Sequence, residues 1–266
     1  MEKADFQELI WQKARELYRS MPWRDTTDPY YVLVSELMLQ QTQVDRVIPK
    51  FNDFIKAFPT IQALSQAQLG EVLVLWSGLG YNRRAKFLHQ AAQKVMADFQ
   101  GTIPDRLDDL ISLPGVGPNT AGAILAYGFN QPVVFVETNI RTVYFHHFFS
   151  QDLGVSDKDV REVVESTLDH EHPREWYWAM MDYGSYLKKQ GLGRIDQSRH
   201  YKKQSPLKGS LREVRGGIVK ALAKGPLTEE ALRVRMPNDE RFDKALNALL
   251  DEQLVTKTSE QLHLQR

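Results

Sequence analysis

Two glutamates stand in apolar surroundings. Glu36 lies in VLVSELML, and Glu137 directly follows the run VVFV, residues 133–136. An unpartnered buried carboxylate is costly, so such a residue is either hydrogen-bonded within the fold or employed in chemistry. Burial of Glu36 favours its neutral, proton-donating form. Glu137 is followed by Thr138, Asn139 and a new apolar-periodic segment. That places it at the start of a helix, where it is either a cap or a working carboxylate.

A third feature is the stretch LPGVGPNTA, residues 113–121. Gly115 and Gly117 permit a tight turn with exposed backbone N–H groups, and the following helix offers more of them at its positive end. Leu113, Gly115, Val116, Gly117, Asn119 and Thr120 together suit one phosphate. With RLDDLISL before it and TAGAILAY after it, the turn reads as a helix-hairpin-helix; a plain helix–helix turn is the alternative.

Composition removes several chemistries. The chain has 266 residues and no cysteine, so disulfides, thiolate catalysis and cysteine-ligated zinc or iron–sulfur centres are excluded. Its seven histidines form no convincing ligand pattern with carboxylates, and no metal or other cofactor is expected. No apolar run approaches the roughly 18 residues needed to cross a bilayer. The N-terminal segment lacks the layout of a secretory signal, so an intracellular, cytoplasmic chain is expected. Net charge is zero, yet Lys188 to Lys220 holds ten Lys/Arg against Asp196 and Glu213, a local +8. This stretch is either a phosphate-facing patch or a solvated linker.

These residues need elements to position them. Residues 1–20 read as a helix with Phe6, Leu9, Ile10, Ala14 and Leu17 on one face. YVLVSELMLQQ reads as a mostly buried helix after Pro29. DRVIPKFNDFIKAF and IQALSQAQLGEVLVLW follow, with Pro49 and Pro59 as punctuation. SGLGYNRR is a glycine turn into the helix AKFLHQAAQKVMADF. Ser156 caps DKDVREVVESTL, and REWYWAMMDYGSYL is an aromatic-rich helix. Nearly everything up to about residue 190 is thus helical. From about 207 the pattern changes to three helices and two strand-like runs, LVTKT and QLHLQ, the layout of a winged helix-turn-helix. Its third helix carries Arg241 and Lys244 against five acids between Asp239 and Glu252. A packing or protein-contacting role is therefore at least as well supported as DNA reading.

SELMLQQTQV, GLGYNRRAKFLHQAA, LPGVGPNTAGAI, ETNIRTV and AMMDYG occur in this order. Together they resemble the helix-hairpin-helix DNA glycosylases, and among these the adenine-specific mismatch glycosylases. The resemblance covers roughly residues 5–187. It implies an all-α, two-lobed glycosylase fold over residues 1–200, with a six-helix lobe at about 30–130. A second lobe would come from the N-terminus and 131–200, and the small winged-helix (α+β) module would occupy 201–266.

The function implied is base excision from lesion- or mismatch-bearing double-stranded DNA. The chain would act as a nucleoid-associated monomer without a membrane. A flipped base loses its N-glycosidic bond as negative charge develops on the base and positive charge on the sugar. By resemblance, Glu36 protonates the purine, Glu137 stabilises or attacks the sugar cation, and Asn139 lies near both sugar and carboxylate. Asn119 stands where lyase-competent relatives carry a Schiff-base lysine, so a monofunctional enzyme leaving an abasic site is expected. Gln40, Gln41 and Tyr81 match residues that wedge into the duplex or contact bases. Trp23, Arg24 and Asp182 match the base pocket, with core packing the alternative for Trp23 and Asp182.

The chain departs from the family in three places. Glu137 replaces an aspartate, and one extra methylene displaces the carboxylate by roughly an ångström, a misplacement that can cost about 100-fold. The cysteines that usually hold an iron–sulfur cluster are missing. Lys188, Lys189, Arg194, Arg199, Lys202 and Lys203 could supply phosphate contacts there. Residues 207–266 are too short for the family's C-terminal domain. The excised base is thus adenine or, alternatively, hypoxanthine, with mispaired uracil or thymine less favoured because neither has an N7. A catalytically weak lesion sensor is the competing expectation.

Overall fold

The computed structural model describes residues 1–150, 152, 154–193, 206–237 and 239–265. The elements in chain order are α1 (Lys3–Leu17), a short 3-10 turn (Pro22–Arg24), α2 (Pro29–Leu39), α3 (Val44–Ala57), α4 (Ile61–Gln66), α5 (Leu69–Trp76) and α6 (Arg83–Asp98). The hairpin region adds α7 (Leu107–Ile111) and α8 (Pro118–Phe129). Then come α9 (Thr138–His147), α10 (Asp157–Thr167) and α11 (Pro173–Lys189). The C-terminal part holds α12 (Leu211–Leu222), β1 (Leu227–Thr228), α13 (Glu229–Arg233), α14 (Arg241–Asp251), β2 (Val255–Thr258) and β3 (Gln261–Leu264). The protein is therefore mainly helical with one small C-terminal sheet, as the sequence implies.

Two compact units divide the chain. One comprises residues 1–32, 105–111 and the described residues from 116 to 193; the other comprises 33–104, 112–115 and the described residues from 206 onward. The helix α8, expected in the lobe of residues 30–130, groups with the first unit. The C-terminal elements group with α3–α6 in the second.

In the first unit α11 is the centre, and α1, α8 and α9 all pack on it. Its buried face carries Trp176, Tyr177, Met180, Tyr183 and Leu187. Phe6 and Ile10, four apart on α1, are fully buried and Phe6 meets Trp176 at 6.0 Å between rings. Each such side chain contributes roughly 1.5–3 kcal/mol by leaving water. The segment leading to α9 is held from α8, where a Cβ on Gly122 would lie 2.6 Å from Phe135 Cβ.

In the second unit α3 turns Val47, Phe51 and Phe54 inward. Pro49, expected as a break, is accommodated inside α3. It lies in the second turn, where its missing N–H forfeits one hydrogen bond without ending the helix. Residues 61–76 form two helices rather than one. Ala67 is extended, and Gln68 restarts the chain with a capping box to Glu71. The C-terminal module has strand order β1-β3-β2, all antiparallel. The hairpin was legible; β1 is only two residues long, too short to show alternation. The module packs on α5 through α12 and β3. Lys86 on α6 donates to the Glu252 carbonyl at 2.7 Å, and Arg215 Nη1 donates to Glu252 Oε1 at 2.8 Å.

Candidate active site

Glu137 is extended, with φ −103° and ψ −179°, and is the N-cap of α9. Its Oε1 accepts from the Asn139 amide at 2.6 Å and the Ile140 amide at 3.1 Å. These are orphan donors of the first helical turn, at the positive end of the helix. Two glycines admit the neighbours. Gly122 lets α8 close on the preceding segment, and a Cβ on Gly184 of α11 would fall 2.2 Å from the Asn139 carbonyl oxygen. Burial pushes the Glu137 carboxyl above its ordinary value; the Ile140, Asn139 and Thr138 amides and the charge of Lys188 pull it down. Lys188 lies one helical turn beyond Gly184. Burial lowers its ammonium, while Glu137 raises it and Arg19 lowers it. Asn139 Oδ1 is buried without a hydrogen-bond partner among the described residues, and its Nδ2 lies 3.8 Å from Met181 Sδ.

Asn119 is drawn into the support of Glu137. Its Oδ1 accepts from the Val136 amide at 3.3 Å and from Arg161 Nη2 at 3.3 Å, while Arg161 Nη1 donates to the Val134 carbonyl at 3.2 Å. Asn119 thus steadies Val136, the residue directly before the carboxylate, and Arg161 ties it to Val134. In the hairpin, Leu113 and Val116 are buried, Gly115 has φ +81°, and Gly117 caps α8 with Pro118 at its first position. Gly117 is exposed and Thr120 half-buried.

Arg24 and Asp182 form a buried two-pronged pair. Nη1 donates to Oδ2 at 2.7 Å and Nη2 to Oδ1 at 3.1 Å, with side chains 4% and 1% exposed. Arg19 adds its Nε at 2.7 Å and its amide at 3.1 Å to the same carboxylate. The Arg24 guanidinium also lies over the Trp178 ring at 5.4 Å. A cavity of about 320 Å³ reaches Asp182 and is lined by Trp11, Tyr18, Glu175 and Trp178 among others. Trp23 is buried beside Arg24 in sequence and does not line that cavity. Arg19, Tyr18 and Trp178 are absent from the sequence reading; only proximity in the fold marks them.

In the second unit Glu36 is half-buried between buried Ser35 and Leu37 on α2. Gln40 follows the helix end and donates to the Gly115 carbonyl at 3.4 Å. Gln41 is exposed with φ +56°, and Tyr81 closes the glycine turn with φ +49°. Arg84 braces this turn from below, donating to the Leu37, Met38 and Gly80 carbonyls at 2.6, 2.9 and 3.0 Å.

Of the expected phosphate-contacting cations, Lys188 and Lys189 end α11, and Arg194, Lys202 and Lys203 lie outside the described residues, as does Arg199. Helix α14 keeps its cations internal. Arg241 bonds Asp239, and Lys244 bonds Glu240 at 2.9 Å. Among the described residues no group of three or more His, Asp or Glu could hold a metal ion.

Residues 34–168 match the family model described as HhH-GPD superfamily base excision DNA repair protein. An adenine DNA glycosylase of Mycobacterium tuberculosis (strain CDC 1551 / Oshkosh) is 33% identical over 264 residues, covering 91% of this chain and 87% of the relative. That of Buchnera aphidicola subsp. Baizongia pistaciae is 36% identical over 173 residues, covering 64% of this chain and 48% of the relative, so the chain spans about half of that protein's length. Among solved structures, a thermostable thymine-DNA glycosylase superposes with a TM-score of 0.63 at 22% identity, covering 73% of this chain and 94% of the other. An endonuclease III–DNA covalent intermediate gives 0.57 at 18% identity, covering 77% and 91%. The two superpositions establish the fold, and the family match with the M. tuberculosis relative establishes descent: the chain belongs to the HhH-GPD superfamily of base excision DNA repair proteins and, within it, to the adenine DNA glycosylase family.

Proposed function

We propose that this chain is a monofunctional DNA glycosylase that excises a mispaired or damaged purine, adenine or hypoxanthine, from double-stranded DNA. Glu36 donates a proton to N7 of the flipped base. The N-glycosidic electron pair leaves with the base, and Glu137 holds the positive charge left on the sugar until water adds at C1′. Asn139 orders the start of α9 beside that carboxylate. No amine stands at Asn119, so the product is an intact strand with an abasic site.

The observation that carries this reading is the Glu137 carboxylate. It is fixed by two amides, steadied from behind through Asn119 and Val136, and charge-coupled to Lys188. A carboxylate kept rigid and partly desolvated is suited to stabilising a cation that exists only in the transition state. The longer side chain in place of aspartate favours a second reading, a lesion-binding sensor with little catalysis.

A single-turnover screen separates the two. Labelled duplexes hold adenine, hypoxanthine, uracil or thymine opposite each normal base and 8-oxoguanine, with and without hot alkali. Alkali-dependent cleavage at adenine or hypoxanthine supports the glycosylase. Lesion-selective binding without cleavage supports the sensor.

A further inference from the structure

The C-terminal module reaches Tyr81. Arg212, in the first turn of α12, donates from Nη1 to the Tyr81 hydroxyl, and its guanidinium lies over the Tyr81 ring, 5.2 Å from the centroid. Arg84 lies 5.4 Å from the same centroid. The ring is thus engaged by two cations, one from its own lobe and one from the module. The backbone beneath it is unusually committed. Gly78, Gly80 and Tyr81 all have positive φ, at +99°, +76° and +49°, and Tyr81 takes this conformation against its Cβ. The module is also secured nearby. Lys86 on α6 donates to the Glu252 carbonyl, and a Cβ on Gly70 would lie 2.9 Å from the Gln265 carbonyl oxygen.

Several other cations of the module are committed to its own acids. Arg233 pairs with Asp243 at 2.5 Å and also with Glu229, Arg241 pairs with Asp239, and Lys257 pairs with Glu229. Its third helix buries Phe242, Ala245, Leu246 and Leu249, leaving that face to packing. Arg212 differs in directing its charge onto a ring outside the module.

We propose that Arg212 is a positioning residue for Tyr81, and that the C-terminal module contributes to duplex engagement by fixing this ring rather than by inserting its own helix into a groove. A half-buried tyrosine held by a hydroxyl bond and a cation over its face presents one defined edge to DNA. This rests on the proposed function, in which Tyr81 contacts the duplex.

The test is a double-mutant cycle in the full chain, read as affinity for a lesion duplex and as single-turnover excision. Arg212→Leu and Tyr81→Leu are measured singly and together, with thermal unfolding to check folding. Tyr81→Phe removes only the hydroxyl, and Arg212→Lys keeps the cation. Arg212→Leu should weaken lesion-duplex affinity about tenfold and have no further effect when Tyr81 is leucine. Tyr81→Phe should lose part of that affinity, and Arg212→Lys should restore part of it. Additive losses would overturn the inference, since Arg212 would then act on DNA directly. If Tyr81→Leu weakens binding and Arg212→Leu does not, the inference fails while the glycosylase reading stands. If Tyr81→Leu itself changes nothing, the contact assigned to Tyr81 fails, and the inference with it.

Discussion

The carboxylate of Glu137 closes on the amide of Asn139, two residues downstream, at 2.6 Å, and so begins α9 with the same group proposed to face the sugar. One side chain is the cap and, in the proposed function, also the working carboxylate. Glu137→Ala removes the acceptor and should cost about 1 kcal/mol of stability. In a chain of this size that lowers the melting temperature by roughly 2–4 °C. Glu137→Gln keeps an acceptor oxygen and carries no buried charge, so it should not melt below the wild type. Calorimetry or thermal circular dichroism distinguishes them.

The pH dependence follows from the Glu137 environment. Burial raises its folded pKa above the unfolded value, so the native state holds the proton more tightly. Its contribution to stability is fully present below the unfolded value and is lost as pH rises through the folded one. In the proposed function excision uses the ionised form, so the acid limb of the rate profile should lie above the ordinary carboxylate range. Lys188→Met removes a charge that pulls the pKa down and should move the limb to higher pH; Lys188→Arg should leave it in place. An unmoved limb in Lys188→Met would show that the two groups are not coupled.

Gly184 tests the close approach of α11 to α9. A Cβ there would meet backbone, the Asn139 carbonyl, at 2.2 Å, with no flexible side-chain end to yield. Gly184→Ala should therefore force the helices apart, cost about 1–3 kcal/mol and reduce excision about 100-fold through displacement of the carboxylate. Gly216→Ala, where a Cβ meets nothing within 4 Å, is the matched control and should leave excision unchanged.

The Arg24–Asp182 pair should be costly to break. Asp182→Ala leaves a 4%-exposed guanidinium without its carboxylate, an uncompensated buried charge worth about 3–5 kcal/mol. Chemical denaturation should show a lower midpoint with little change in slope. A loss below about 1 kcal/mol would mean that water reaches Arg24 and replaces the carboxylate.

Local features were legible in the sequence and distant pairings were not. The helix start at Glu137, the LPGVGP turn, and the helices and hairpin of residues 207–266 follow from capping residues, glycines and periodicity over a few positions. Arg19 and Arg24 on Asp182 span 163 and 158 residues, and Arg212 on Tyr81 spans 131. No pattern in one chain encodes such partners. Lys188 illustrates the consequence. Its place in a basic stretch suggests a phosphate contact, and only the fold adds that its charge also acts on Glu137. Asn119 likewise reads in the sequence as a phosphate-facing hairpin residue and as a missing amine, whereas its hydrogen bond to Val136 depends on α8 lying against the segment before α9.

The central claim is that Glu137 is catalytic as well as a cap, and Glu137→Gln tests it most directly because it removes charge while keeping shape and acceptor. The measurement is the single-turnover excision rate on whichever lesion duplex the wild type cleaves, alongside affinity for that duplex and the melting temperature. The expected result is melting no lower than the wild type, retained duplex affinity and a rate lower by about a thousandfold or more. Full rate with melting no lower than the wild type would contradict the claim and leave Glu137 as a cap alone.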